Sequence, residues 1–271
     1  MNKLTLRSLC SLGLALGTAL ATNAAEGNLG YKDTAKIPGT DWHIHDGDRP
    51  QPRIVKPGES FSDMAKAPAD AIVLFDGKDF SKWLGQGGAE PKWKIENGYM
   101  ETTPKGGRIR TKDEFSDFQL HLEFATPEKV EGSGQGRGNN GVSIFGKFEI
   151  QILDSYENKT YPDGQAAAMY GQRPPLVNAS RGPGQWQTYD IIFEAPRFNE
   201  SGELTKKANV TVIHNGVVVH HKQDFFGPTT HRAIQKYSPK DTKGPIDLYE
   251  HGNPVRFRNI WIRPLGEYDK P

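Results

Sequence analysis

Glu149 and Gln151 occupy alternate positions in Phe148-Glu149-Ile150-Gln151-Ile152. A strand through them carries a carboxylate and an amide on one face, about 7 Å apart, and three apolar side chains on the other. An acid beside an amide offers the mixed donors and acceptors that sugar hydroxyls require; an ordinary solvated outer face is the competing reading. His251 is the second candidate. It ends a predicted strand, Ile246 to His251, on the same face as Asp247 and Tyr249 and just before the turn Gly252-Asn253-Pro254. A lone histidine there would be structural, but this polar company makes it a candidate site residue. Two further groups invite a metal. His214, His220 and His221 flank Asn215-Gly216, and Trp42-His43-Ile44-His45-Asp46-Gly47-Asp48 crowds two histidines and two aspartates together. Solvated hairpin ends are preferred for the first and docking of an arm for the second, because short His/Asp clusters without a rigid scaffold make poor metal sites.

These residues need elements to hold them. Residues 1–25 read as a secretory signal, with Lys3 and Arg7 ahead of an apolar run from Leu9 to Ala21 and small residues at Ala24-Ala25. This predicts a secreted or periplasmic protein with no membrane association once the signal is removed. Cys10, the one cysteine of the chain, lies inside that signal. The mature chain then has no disulfide, thiol nucleophile or Cys-based zinc site, and stability falls to a hydrophobic core. Loss of Lys3 and Arg7 takes the formal charge from +1 to −1, which argues against nucleic acid as a partner. Residues 26–70, rich in Pro, Gly and charge, read as an extended N-terminal arm.

From Ala71 to residue 267 the pattern becomes short apolar alternations broken by Gly, Pro and Asn, the pattern of an all-β sandwich or barrel. Phe118, Leu120, Leu122 and Phe124 mark a half-buried strand; Tyr189, Ile191 and Phe193 mark another. Asn97-Gly98 and Asn215-Gly216 are hairpin turns. In the last strand, Val255, Phe257, Asn259 and Trp261 are expected on one face and Arg256, Arg258, Ile260 and Ile262 on the other. Val130 to Asn140, with four glycines and Arg137, is a loop without the context of a phosphate-binding turn. Ser155 to Pro183 lacks periodicity and holds Tyr156, Tyr161, Tyr170 and Arg173, which suits either a binding loop or a surface loop with aromatic pegs.

Several stretches resemble one family, the 3-keto-disaccharide hydrolases (3-keto-glucoside lyase/hydratases), once known only as a domain of unknown function. They are LFDGKDFSKW from Leu74, DFQLHLEF from Asp117, GNNGVSIFGKFEIQILDS from Gly138, AAAMYG from Ala166, GQWQTYDI from Gly184, HNGVVVH from His214 and HGNPVRFRNIWIRPL from His251. Asp247-Leu248-Tyr249-Glu250 departs from the family, where a Gln commonly stands two places before the His-Gly pair. The resemblance implies a concanavalin A-like jelly-roll sandwich with the sugar on one sheet, so that Glu149 and Gln151 face a cleft.

It also implies a glycoside or oligosaccharide substrate already oxidised at C3. The ketone acidifies the C2 hydrogen, a base removes it, the group at C1 is expelled, and water adds back. One base and an electrophile at the C3 oxygen suffice. Glu149 or His251 would be the base. Arg137, Gln151 or a bound divalent cation would stabilise the enolate oxygen. Tyr170 and Trp186 would stack on or hydrogen-bond the ring, and Asn140 and Asp154 would hold hydroxyls. A conventional jelly-roll endoglucanase needs a second carboxyl beside Glu149, and Gln151 stands in that slot. A non-catalytic, lectin-like glycan-binding domain is the remaining alternative.

Overall fold

The computed structural model describes residues 29–266 and 269. The proposed signal, residues 1–25, lies outside the described residues. The strands that build the domain are β1 (Ile72–Phe75), β2 (Trp83–Leu84), β3 (Lys94–Glu96), β4 (Tyr99–Glu101), β5 (Ile109–Thr111), β6 (Phe118–Ala125) and β7 (Asn140–Ile144). They continue with β8 (Phe148–Ile152), β9 (Gln187–Glu194), β10 (Asn209–His214), β11 (Val217–Asp224), β12 (Ile246–Leu248) and β13 (Arg256–Pro264). One sheet runs β11-β10-β9-β6-β13-β4-β3, with β1 also on β13; the other runs β2-β5-β12-β7-β8. The chain is an all-β jelly-roll sandwich.

Alternation decides what fills the space between the sheets. Phe118, Leu120, Leu122 and Phe124 from β6, Tyr189, Ile191 and Phe193 from β9, and Phe148, Ile150 and Ile152 from β8 are all buried in one core. Asn97 and Gly98, like Asn215 and Gly216, take positive φ at consecutive positions, and each pair joins two antiparallel strands. This is the backbone that a tight two-residue hairpin demands.

The expected parity of β13 breaks at Asn259. The register with β6 shifts between Arg258 and Trp261, and Asn259 has φ of 47°, so an inserted residue switches the strand's faces. Phe257 is followed into the core by Ile260 and Ile262 rather than by Asn259 and Trp261.

β6 departs from expectation on its other face. His121 and Glu123 are buried, because arm residues 60–65 lie over them. Ser60 Oγ hydrogen-bonds Thr188 Oγ1 at 2.8 Å, the Met64 amide donates to Glu123 at 2.8 Å, and Asn259 Nδ2 donates to the Ala65 carbonyl at 2.9 Å. Beneath the arm, Arg258 Nε donates to Glu123 at 2.7 Å and His121 Nδ1 meets Asp190 at 2.8 Å. Burial disfavours both charged partners, yet their mutual attraction wins. Glu123 is held down at about 2, and Asp190 and Glu123 hold His121 above the ordinary histidine value.

The histidines around Asn215-Gly216 are not solvated hairpin ends. His214 and His220 are buried, against Gln187 and the Ala167 carbonyl at 2.9 Å each, and burial lowers them to about 3 and about 4. They are neutral core residues, and only His221 is exposed.

Glu123→Gln deprives Arg258 and His121 of their shared countercharge beneath the arm. It should destabilise the fold by roughly 2–4 kcal/mol, seen as a lower urea midpoint, and should make residues 58–65 more sensitive to limited proteolysis.

Candidate active site

On the outer face of the five-stranded sheet, registers align polar side chains in a row. Asp247 of β12 stands opposite Arg110 of β5 and Ser143 of β7, and Ser143 stands opposite Glu149 of β8. One step along, Gly141 stands opposite Gln151, and the Tyr249 amide donates to the Gly141 carbonyl at 3.1 Å. Gly141 is required here: a Cβ on it would lie 2.3 Å from Glu149 Oε1. The missing side chain is the space the carboxyl occupies.

β8 is an edge strand, and its free edge is covered. Ala168 O accepts from the Gln151 amide at 3.0 Å, the Tyr170 amide donates to the Glu149 carbonyl at 3.1 Å, and Thr229 Oγ1 accepts from the Glu149 amide at 3.1 Å. These bonds satisfy backbone groups that would otherwise invite another strand. They also bring the 155–183 segment and the short hairpin at Thr229–Ile234 beside Glu149.

The result is a cleft of about 810 Å³ lined by Glu149, Gln151, Tyr249, His251, Tyr170 and His231, among others. Glu149 is only 9% exposed, and among the described residues no cation pairs with it. Burial pushes its carboxyl up to about 8. The Gln151 amide reaches 3.2 Å from Glu149 Oε1 at one end and 2.9 Å from Gln135 Oε1 at the other. His251 is exposed at the rim, its ring edge-on to Tyr249 with centroids 6.1 Å apart. Partial desolvation by its neighbours at the rim lowers its pKa more than Glu250 raises it, so its imidazole is neutral at neutral pH. Asp247 is buried beside Gly146, with Oδ2 unpartnered and Arg108 Nε 3.8 Å from Oδ1. Burial raises it to about 6.

Glu149, Gln151, Tyr170 and His251 are thus brought together. The other residues singled out from the sequence lie elsewhere. Arg137 Nε binds Asp154 at 2.7 Å, and the two line a separate hollow of about 210 Å³ with Gly252 and Asn253. Asn140 pairs with Ile152 and so takes the core parity; it is fully buried, and its Oδ1 accepts from the Gly141 amide at 2.8 Å. Trp186 lies just ahead of β9 of the other sheet, under the Arg258 guanidinium at 4.1 Å and beside Tyr99. No group of three or more His, Cys, Asp or Glu side chains placed to hold a metal occurs among the described residues.

Pattern reading missed part of the cleft. Leu29, Gly30 and Tyr31 of the arm form one wall. The arm's histidine pair is split: His43 meets the Thr34 carbonyl, whereas His45 is buried under the cleft, bonded to Asp163 through its amide (2.9 Å) and Nδ1 (3.1 Å). His231 carries no local signal, because only the docking of its hairpin on β8 delivers it.

Residues 70–263 match the 3-keto-alpha-glucoside-1,2-lyase-like domain. A protein named 3-keto-disaccharide hydrolase from Bacteroides thetaiotaomicron is 23% identical over 256 residues, covering 75% of this chain and 82% of that protein. A crystal structure from Parabacteroides distasonis ATCC 8503, provisionally described as a glycosyl hydrolase, is 44% identical with a TM-score of 0.72, over 80% of this chain and 93% of its own. A second such structure from that organism shares the fold at 24% identity and a TM-score of 0.51, over 72% of this chain and 99% of its own.

Between about 4.5 and about 8 the folded state holds a proton on Glu149 that the unfolded chain releases. Stability attributable to this residue therefore falls as pH rises through that window, by on the order of 1 kcal/mol per pH unit. Glu149→Gln should abolish this component. Its unfolding free energy relative to the wild type should climb between pH 5 and pH 8 in paired urea titrations.

Proposed function

Because this chain belongs to the 3-keto-alpha-glucoside-1,2-lyase-like domain family, we propose that it is an exported carbohydrate-active enzyme cleaving 3-keto glycosides by elimination and rehydration. The supporting observation is the buried carboxyl of Glu149, without a cationic partner among the described residues, at the edge of an open cleft. A 3-ketone makes the C2 hydrogen acidic enough for a carboxylate whose pKa lies near neutrality to remove. Electrons then form C1=C2, the C1–O1 bond breaks, and the aglycone departs. Water adding at C1, with a proton returning to C2, gives the free 3-keto sugar. Gln151, beside Glu149 in the cleft, would hydrogen-bond the enolate oxygen at C3. His251, neutral and at the rim, is the alternative base. Export rests on the residue pattern at 1–25.

Asp247 favours a second reading. Aligned with Glu149 through Ser143, it lies two strands away, about 9.6 Å between backbones, which is compatible with a conventional pair of carboxyls acting on unoxidised glycosides.

In deuterated water, a 3-keto disaccharide should incorporate deuterium at C2 of the released sugar, followed by NMR, while the unoxidised disaccharide stays intact. Cleavage of the unoxidised sugar without C2 exchange would establish the carboxyl-pair reading instead. Glu149→Gln should lower kcat/KM for the 3-keto disaccharide by roughly a hundredfold or more, and wild-type kcat/KM should rise with pH toward about 8 as the base loses its proton. If His251→Ala alone has that effect, His251 is the base.

A further inference from the structure

Expulsion of an alkoxide from C1 calls for a proton donor, and the cleft wall facing Glu149 is built around one phenol. Tyr161 Oη lies 3.1 Å from Tyr170 Oη, which lies 3.3 Å from His231 Nδ1. Tyr161 is buried and His231 exposed, while Tyr170 sits between them, partly open to the cleft. Tyr170 is also joined to the proposed base through the backbone, its amide donating to the Glu149 carbonyl. Tyr249 also lines the cleft, its ring edge-on to His251. Tyr170 differs in having two potential donors, a hydroxyl and an imidazole N–H, directed at one oxygen.

The cluster has a foundation that the rest of the cleft does not need. His45, fully buried and fixed to both carboxylate oxygens of Asp163, packs its ring 4.1 Å from Tyr161, 4.7 Å from Tyr170 and 5.6 Å from His231. Its Nε2 is buried without a partner. Gly171 leaves room for that ring, since a Cβ there would meet His45 Cε1 at 3.3 Å. Asp163 in turn accepts the Gly171 amide on its backbone carbonyl at 2.9 Å, tying the turn after Tyr170 to the residue that His45 grips. An arm residue outside the matched domain thereby sets the position of Tyr170.

Building on the lyase reading above, we propose that Tyr170 is the acid that protonates the departing glycosidic oxygen, with Tyr161 and His231 stabilising its phenolate and His45 positioning the three. The step balances. Glu149 takes the C2 proton, the C2–H pair becomes C1=C2, the C1–O1 pair leaves with the aglycone oxygen, and that oxygen takes the Tyr170 proton. In the hydration step water gives one proton to the Tyr170 phenolate as its oxygen bonds C1, and Glu149 returns its proton to C2. Both groups are reset. Burial holds Tyr170 above the ordinary tyrosine value, and the Tyr161 hydrogen bond works against that rise.

The experiment follows deuterium at C2 and aglycone release together, on a 3-keto disaccharide in deuterated water, for the wild type and Tyr170→Phe. Tyr170→Phe should continue to exchange C2 hydrogen within about threefold of the wild type while releasing aglycone roughly a hundredfold or more slowly. Across a series of 3-keto aryl and alkyl glucosides, its rates should depend more steeply on leaving-group pKa, with a 4-nitrophenyl leaving group nearly spared. His231→Gln and His45→Gln should show the same leaving-group selectivity in weaker form. Equal loss of exchange and release in Tyr170→Phe, or unchanged release from the disaccharide, would overturn the assignment while leaving the lyase reading intact. A wild type that neither exchanges C2 nor releases aglycone from any 3-keto glycoside would remove the reading and this assignment together.

Discussion

The strict two-residue period of β7 and β8 is the constraint on which the molecule turns. Phe148, Ile150 and Ile152 are fully buried in the core, so Glu149 and Gln151 have no alternative to the opposite face. A one-residue slip would drive a carboxyl between the sheets and three large apolar groups out. The apolar core therefore enforces the position of a group that is itself costly: a nearly buried carboxyl with burial as the cause of its raised pKa and, among the described residues, no cation to relieve it. Stability from the core's aromatic and aliphatic packing is what permits that local expense.

Much of the fold was legible from the chain because the same period governs it. The buried faces of β6, β8 and β9 follow from alternation alone, and the Asn-Gly pairs mark their hairpins. Legibility failed where long-range packing overrode the local pattern. Asn259 adopts positive φ and flips the second half of β13, a change that only its bonds to Glu123 and the Ala65 carbonyl explain. His214 and His220 look like solvated turn flanks until the packing of the 155–183 segment encloses His220 against Ala167.

The site divides in the same way. Glu149 and Gln151 could be read from a single strand, and His251 from its polar neighbours Asp247 and Tyr249. Asn140 failed by parity and Trp186 by leading into the other sheet; Arg137 and Asp154 had already satisfied each other. His231, Gln135 and the arm residues reach the cleft through contacts spanning a hundred residues or more in several cases, such as His45 to Asp163. No periodicity encodes such encounters. The match to the family's domain spans residues 70–263, so it leaves out the stretch that supplies Tyr31 and His45.

That stretch also binds the two sheets into one mechanical unit. Between Leu29 and Ala65 the chain walls the cleft on one side of the sandwich and seals the His121–Glu123–Asp190 cluster on the other. A tag, fusion partner or immobilising linker joined directly ahead of Leu29 is therefore delivered at the mouth through which a sugar enters, and it competes for that doorway.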